Sequence, residues 1–251
     1  MPITANILHR DSFNFLKNQL PSILLLALLS ALITVILNQI FLLDAEQLNS
    51  LEIASRDLTS SSEMGIKEMV QLMTPEQQII LLKISAVATF SALLGNVLLI
   101  GGTLALITLV SQGNYLSLWQ VIGVALPTLP RLGLLIFVCT LLVQCGLALF
   151  IVPGVVIALA VSLAPIIITN EKIGIFAAIK ASATLAFANI RLIVPAMILW
   201  FSVKLLIILI ISKVILYFPV VADIILSTLN NVVSTLLLVY LFRLHMLLHN
   251  R

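Results

Sequence analysis

The sequence predicts an all-α bundle of six membrane-spanning helices, and three observations carry that prediction. Charged residues make up 9% of the 251 residues and hydrophobic ones 61%, whereas a soluble domain carries about 25% charge. The apolar residues gather into six long runs, roughly 22–43, 84–110, 132–151, 155–170, 192–217 and 224–247. About 20 largely apolar residues in helix cross a bilayer. Most of the charge falls between the runs. A soluble globule of this size could not cover so much apolar surface, so lipid is the solvent for most of the chain. In lipid a spanning segment must satisfy its own backbone hydrogen bonds, and helix does so.

The first run, 22–43, is too long for the apolar part of a signal peptide, and no small-x-small cleavage site follows it. It is expected to stay as the first transmembrane helix. No lipidation motif is read at either end. The sizeable polar segment 44–83 comes next, with Asp44, Glu46, Glu52, Asp57, Glu63, Glu68 and Glu76 against Arg56, Lys67 and Lys83. Within it Ile66, Met69, Val70 and Met73 recur at i, i+3, i+4 and i+7, the spacing of a short amphipathic helix. The "TPEQ" that follows sets Thr74 as N-cap, Pro75 at the first helical position and Gln77 at the capping-box position. The second helix should therefore start well before its membrane part.

The apolar stretch 132–169 is too long for one span and about right for two. Pro153 cannot continue a helix and Gly154 turns readily. Val152, Pro153 and Gly154 are therefore expected to form a tight hairpin turn between the third and fourth helices. A broken, re-entrant element lining a cavity is the alternative. The fourth helix, 155–170, is short, about 24 Å, and must stand steeply or let the bilayer thin around it.

The fifth helix, 192–217, places Lys204 about halfway along, some 15–20 Å from each end. A lysine at that depth should face the bundle interior or water. Asn38, Asn96 and Gln144 are its candidate neighbours. A later start, near Pro195, would instead leave Lys204 close to the membrane surface. Lys213 lies near enough to the end of the helix to snorkel.

Orientation follows from the placement of Lys and Arg. Arg10 and Lys17, Arg131, then Lys172, Lys180 and Arg191, and finally Arg243 and Arg251 belong on the cytoplasmic side. The acidic segment 44–83 is then periplasmic and both termini cytoplasmic, within a single integral membrane domain over 1–251. Lys180 and its basic neighbours mark the return to the cytoplasmic face, where they can also meet anionic lipid. Tyr115, Trp119 and Tyr217 read as interfacial anchors.

Three segments, "ILHRDSFNFLKNQL", "SLWQVIGVALPTLPR" and "IFAAIKASATLAFANIR", mix apolar and polar residues at roughly helical spacing. Each precedes a pair of spans. One plan thus recurs three times: interfacial segment, helix, outer turn, helix. Common ancestry and three independent interfacial helices explain it equally well. Small residues four apart, Ala27 with Ala31, Ser91 with Gly95 and Ala160 with Ala164, let helices approach closely.

No catalytic site is expected. There is no G-x-S-x-G, phosphate-binding loop or H-E-x-x-H. Cys139 and Cys145 lie six residues apart on one helix, too far for a disulfide, and make no metal site. His245 and His249 have a metal-compatible spacing but no ligand near in sequence. With Arg243 and Arg251 they read as a basic tail at the headgroups. No Lys/Arg stripe points to nucleic acid, and no cofactor is implied.

The opening "ITANILHRDSFNFLKNQ", "MTPEQQIILL", "LVSQG", the "VPG" turn, "LAP" at 163–165, "EKIGIFAAIKAS" and the closing "YLFRLHML" together resemble the YciC family of bacterial inner-membrane proteins over essentially the whole chain. The part from "VPG" through "AAIKAS" is also similar to wider bacterial membrane families, including the membrane part of some glycerophosphodiester phosphodiesterases. This chain carries no attached soluble catalytic domain. The resemblance implies a polytopic protein of a Gram-negative inner membrane and no particular activity. The expected function is non-enzymatic, supporting envelope or lipid organisation with membrane lipids as partners. A small transporter or flippase-like carrier is the alternative, motivated by the Pro-Gly break and the buried polar groups. A polar interior cavity would favour the carrier. Protein partners and oligomeric state are not legible in the residues.

Overall fold

A computed structural model describes residues 5–41, 73–113, 118–171, 173–215 and 219–249. Among these the regular structure is all helix, without strands. In chain order the helices are α1 (Ala5–Asn18), α2 (Leu20–Ile40), α3 (Pro75–Ser111), α4 (Leu118–Ala125), α5 (Leu129–Leu149), α6 (Ile151–Val161), α7 (Ala164–Asn170), α8 (Ile175–Ala188), α9 (Ile190–Ile215) and α10 (Pro219–His249). A single 3-10 turn, Leu126–Thr128, joins α4 to α5. Among the described residues six stretches are long and apolar enough to cross a membrane: α2, α3, Gln120–Leu149 (the end of α4, the turn and α5), Ile151–Asn170 (α6 and α7 together), Ile190–Ile211 of α9, and Val220–His249 of α10.

The three segments expected at the interface contain the helices α1, α4 and α8. Each passes into a spanning helix through a short break, at Gln19, at Leu126–Thr128 and at Asn189. A proline follows each time, Pro21, Pro130 and Pro195. At the second position of α2 and α5 its missing N–H is one that the helix start leaves unbonded anyway. In α8 the small residues Ala178, Ser182 and Ala186 recur every fourth position and are buried. Lys180 and Phe176 lie on exposed positions of the same helix.

The chain packs as two compact units, Met1–Leu32 with Leu93–Arg251, and Ile33–Ala92. In the smaller unit the capping box at the start of α3 is formed. The Thr74 N–H donates to Gln77 Oε1 at 2.9 Å, and the Gln77 N–H donates to Thr74 Oγ1 at 3.3 Å. The core of the larger unit is built on Leu132, Leu135, Leu163, Ile166, Ile167, Ile193 and Leu244, all fully buried. A second cluster joins Ile23 and Leu26 of α2 to Leu106 of α3 and Val121 of α4.

The hairpin between the third and fourth spans differs from expectation. The turn is not at Val152–Gly154. α5 continues to Leu149, Phe150 alone is extended, with φ −160° and ψ 157°, and α6 starts at Ile151. Pro153 is tolerated because it sits in the first turn of α6, where no intrahelical bond needs its N–H. Gly154 is buried inside the hairpin rather than turning it. A Cβ on Gly154 would lie 2.8 Å from the backbone N of Leu147, and one on Gly146 would lie 2.9 Å from the Gly154 Cα. The glycines allow the two helices to touch backbone to backbone. The tip they support, Leu149 to Val152, is apolar and 71–75% exposed.

The fourth span is also longer than expected and interrupted. It runs Ile151–Asn170, 20 residues, or about 30 Å of helix, with a break at Ser162 and Leu163. Ser182 of α8 closes the break. Its hydroxyl donates to the Ala160 carbonyl at 2.6 Å and accepts the Leu163 N–H at 3.1 Å.

Candidate functional site

α9 begins at Ile190 and continues through Pro195. Lys204 therefore lies about 21 Å from the start of the helix and about 16 Å from its end. The later start that would have left it near a helix end does not occur. Its side chain enters a cavity of about 520 Å³ in the larger unit, among α3, α5, α6, α7, α9 and α10. Asn96 of α3 and Gln144 of α5 line the same cavity, as expected from sequence; Asn38 belongs to the smaller unit.

A lysine near the centre of an inserted helix costs about 2.5–3.5 kcal/mol on insertion scales. The structure offsets part of this one turn earlier on α9. The Lys204 Nζ lies 4.4 Å from the centroid of the Trp200 ring, and such a contact is worth about 2 kcal/mol when desolvated. The π-face stabilises the charge but accepts no conventional hydrogen bond from it. Among the described residues no carboxylate lines the cavity. Thr235, 1% exposed, also lines it, as do Ser162 and Trp200. The Thr235 and Ser162 hydroxyl oxygens and the Trp200 Nε1 are buried and find no hydrogen-bond partner among the described residues. These three are not legible from sequence because nothing local to any of them says which other elements it will meet.

Trp200 and Leu237 also line a second cavity, of about 500 Å³, and so form the wall between the two. Its lining is almost wholly apolar, with Phe13 of α1, Leu199 and Val203 of α9 and Leu236 of α10. His9 and Arg10 of α1 bring polar ends to it. The Tyr240 hydroxyl, also on this lining, donates to the Leu192 carbonyl at 3.0 Å.

The end of α10 departs from the expected basic tail. Arg243 Nε lies 3.2 Å from Asp11 Oδ2, tying α10 to α1. His245 is buried, with its Nε2 3.6 Å from Glu171 Oε1 and its ring 6.0 Å from that of His249. Glu171 is distant in sequence, which hid the pairing. Among the described residues no group of three or more His, Cys, Asp or Glu could hold a metal ion. Cys139 is buried, Cys145 is exposed, and both are free thiols.

Of the four residues singled out from sequence, Lys204 alone lines a cavity described above. Pro153 and Gly154 shape the hairpin, and Lys180 is exposed on α8, its carbonyl accepting from the Thr184 hydroxyl at 3.1 Å. Tyr115, Lys172, Tyr217 and the amphipathic stretch 66–70 lie outside the described residues.

Six apolar spans in an all-helical chain define a polytopic membrane protein. The chain belongs to the uncharacterised protein family UPF0259, whose profile matches residues 1–247. This bears out the resemblance drawn from the sequence motifs. UPF0259 membrane proteins of Yersinia pestis (strain Pestoides F) and Yersinia pseudotuberculosis (serotype O:3, strain YPIII) are each 64% identical to it over 248 residues, covering 99% of this chain and 97% of theirs. No solved structure matches the chain.

Proposed function

We propose that the protein is a non-enzymatic inner-membrane protein that holds lipid within its helix bundle and thereby supports envelope organisation. The supporting observation is the pair of cavities that share Trp200 and Leu237 as a wall. Each volume falls in the range of small-ligand sites, about 300–1,000 Å³. One is apolar enough for an acyl chain and the other mixes apolar and polar groups, a combination that suits an amphiphile. This reading needs no chemical step. The carrier reading has one observation in its favour, the lysine and hydroxyls inside the second cavity.

Extraction of the full-length protein into detergent, followed by mass spectrometry of the intact complex, should find lipid bound at a defined stoichiometry. Reconstitution into liposomes, with dithionite quenching of fluorescent lipid, should show no exchange between leaflets above protein-free controls. Absence of bound lipid would remove the lipid-holding reading. Fast exchange would replace it with the carrier.

A further inference from the structure

Lys204 and its neighbours specify the ligand more narrowly than size does. The Lys204 cavity carries a cation and, among the described residues, no carboxylate on its lining. The ammonium brings three N–H donors. Asn96 and Gln144, both at exposed positions, add carboxamide N–H groups. A cation is disfavoured by the lysine, and a neutral amphiphile would leave the ammonium without a counter-charge. An oxyanion satisfies all of them, because its oxygens accept several hydrogen bonds and charge-assisted ones are the strongest.

We infer that this cavity is a binding site for the phosphate of a net-anionic lipid headgroup, with Lys204 as its counter-ion and the Asn96 and Gln144 carboxamides as donors. The inference rests on the lipid-holding reading and names its ligand. A lipid fits better than a soluble anion because the donors sit among Ile136, Val161 and Leu238, which give the rest of the cavity an apolar lining. A zwitterionic headgroup carries its own cation to the phosphate and would meet Lys204 with like charge.

The test uses full-length protein equilibrated with vesicles of equimolar phosphatidylglycerol and phosphatidylcholine, then extracted for mass spectrometry of the retained lipid. Wild type should retain phosphatidylglycerol over phosphatidylcholine by about tenfold, the discrimination that one charge-assisted contact supplies. Lys204→Gln should lose the preference and Lys204→Arg should keep it. Gln144→Leu, at an exposed position, keeps the size of the side chain and guards against a folding artefact. It should elute as a folded monodisperse species and lower the preference several-fold. Retention of both lipids without preference, or a preference that Lys204→Gln leaves intact, would overturn the anionic site while leaving lipid holding in place. No retained lipid from either component would overturn both. Thermal stabilisation by inorganic phosphate that depends on Lys204, without any lipid preference, would assign the site to a soluble anion and overturn the lipid source.

Discussion

At the scale of single residues, the two glycines of the α5–α6 hairpin and a third in α4 make opposite predictions from the same atom. A Cβ at Gly154 meets the Leu147 backbone, which cannot move aside without parting the helices. Gly154→Ala is expected to destabilise the protein by about 1–3 kcal/mol, the cost of overpacking a close contact. A Cβ at Gly123 meets nothing within 4 Å. Gly123→Ala is expected to stabilise by up to about 1 kcal/mol through helix propensity alone. Unfolding in mixed micelles would measure both, and equal effects of one sign would contradict the packing described here. Lys204 belongs to this scale too. Its place about midway along α9 was readable from the spacing of apolar residues. Its contact with Trp200, one turn away, was open to the same arithmetic. Thr235 and Ser162 were not, because nothing in a local pattern says which face of α10 or which break in the fourth span will meet α9.

At the scale of elements, the helix starts were the most legible features. "TPEQ" carries its own hydrogen bonds, and Thr74 and Gln77 exchange them as the motif predicts. Thr74→Ala should cost about 1 kcal/mol, felt locally. Hydrogen exchange of the first turn of α3 should rise while the core of α5 is unchanged; uniform loosening would mean the cap supports more than its own helix. The hairpin turn was misplaced by three residues for a physical reason. Proline excludes itself from helix interiors but not from the first turn, so Pro153 is compatible with a helix that starts before it. The glycine beside it serves close packing, a role that sequence does not distinguish from turning. The pairing of His245 with Glu171 was not legible for a different reason: Glu171 comes from another hairpin, and pairing across that separation leaves no local signature.

At the scale of the whole molecule, the six spans and the all-helical class were readable because a bilayer sets element length directly. The recurrence of short helix, break, proline and long helix at α1–α2, α4–α5 and α8–α9 supports the threefold plan seen in the sequence. Orientation is the prediction that belongs here, motivated by the distribution of Lys and Arg. Single cysteines at the exposed positions Glu76 and Thr184, in a background lacking Cys139 and Cys145, should label from opposite sides. Thr184 suits labelling better than its neighbour Ser182, which is fully buried. An impermeant maleimide should reach Glu76→Cys in cells with a permeabilised outer membrane and miss Thr184→Cys until the inner membrane is broken. The reverse pattern would invert the topology.

The apolar tip at Leu149 to Val152 bears on how such a bundle is made. Its side chains carry no polar atom, and the one non-helical residue, Phe150, is still bonded. Its N–H donates to the Gly146 carbonyl at 3.1 Å, and its carbonyl accepts the Gly154 N–H at 3.3 Å. A loop of the usual kind must be stripped of water to cross a bilayer during biogenesis, and that stripping is a large part of the kinetic barrier to threading a helical pair. Here the side chains hold no water, and the only groups left to strip are the backbone ends of the two helices. The α5–α6 hairpin is in that respect a self-sealed wedge, able to enter the hydrocarbon tip first as one piece, with its charged flank at Arg131 left behind on the side of synthesis.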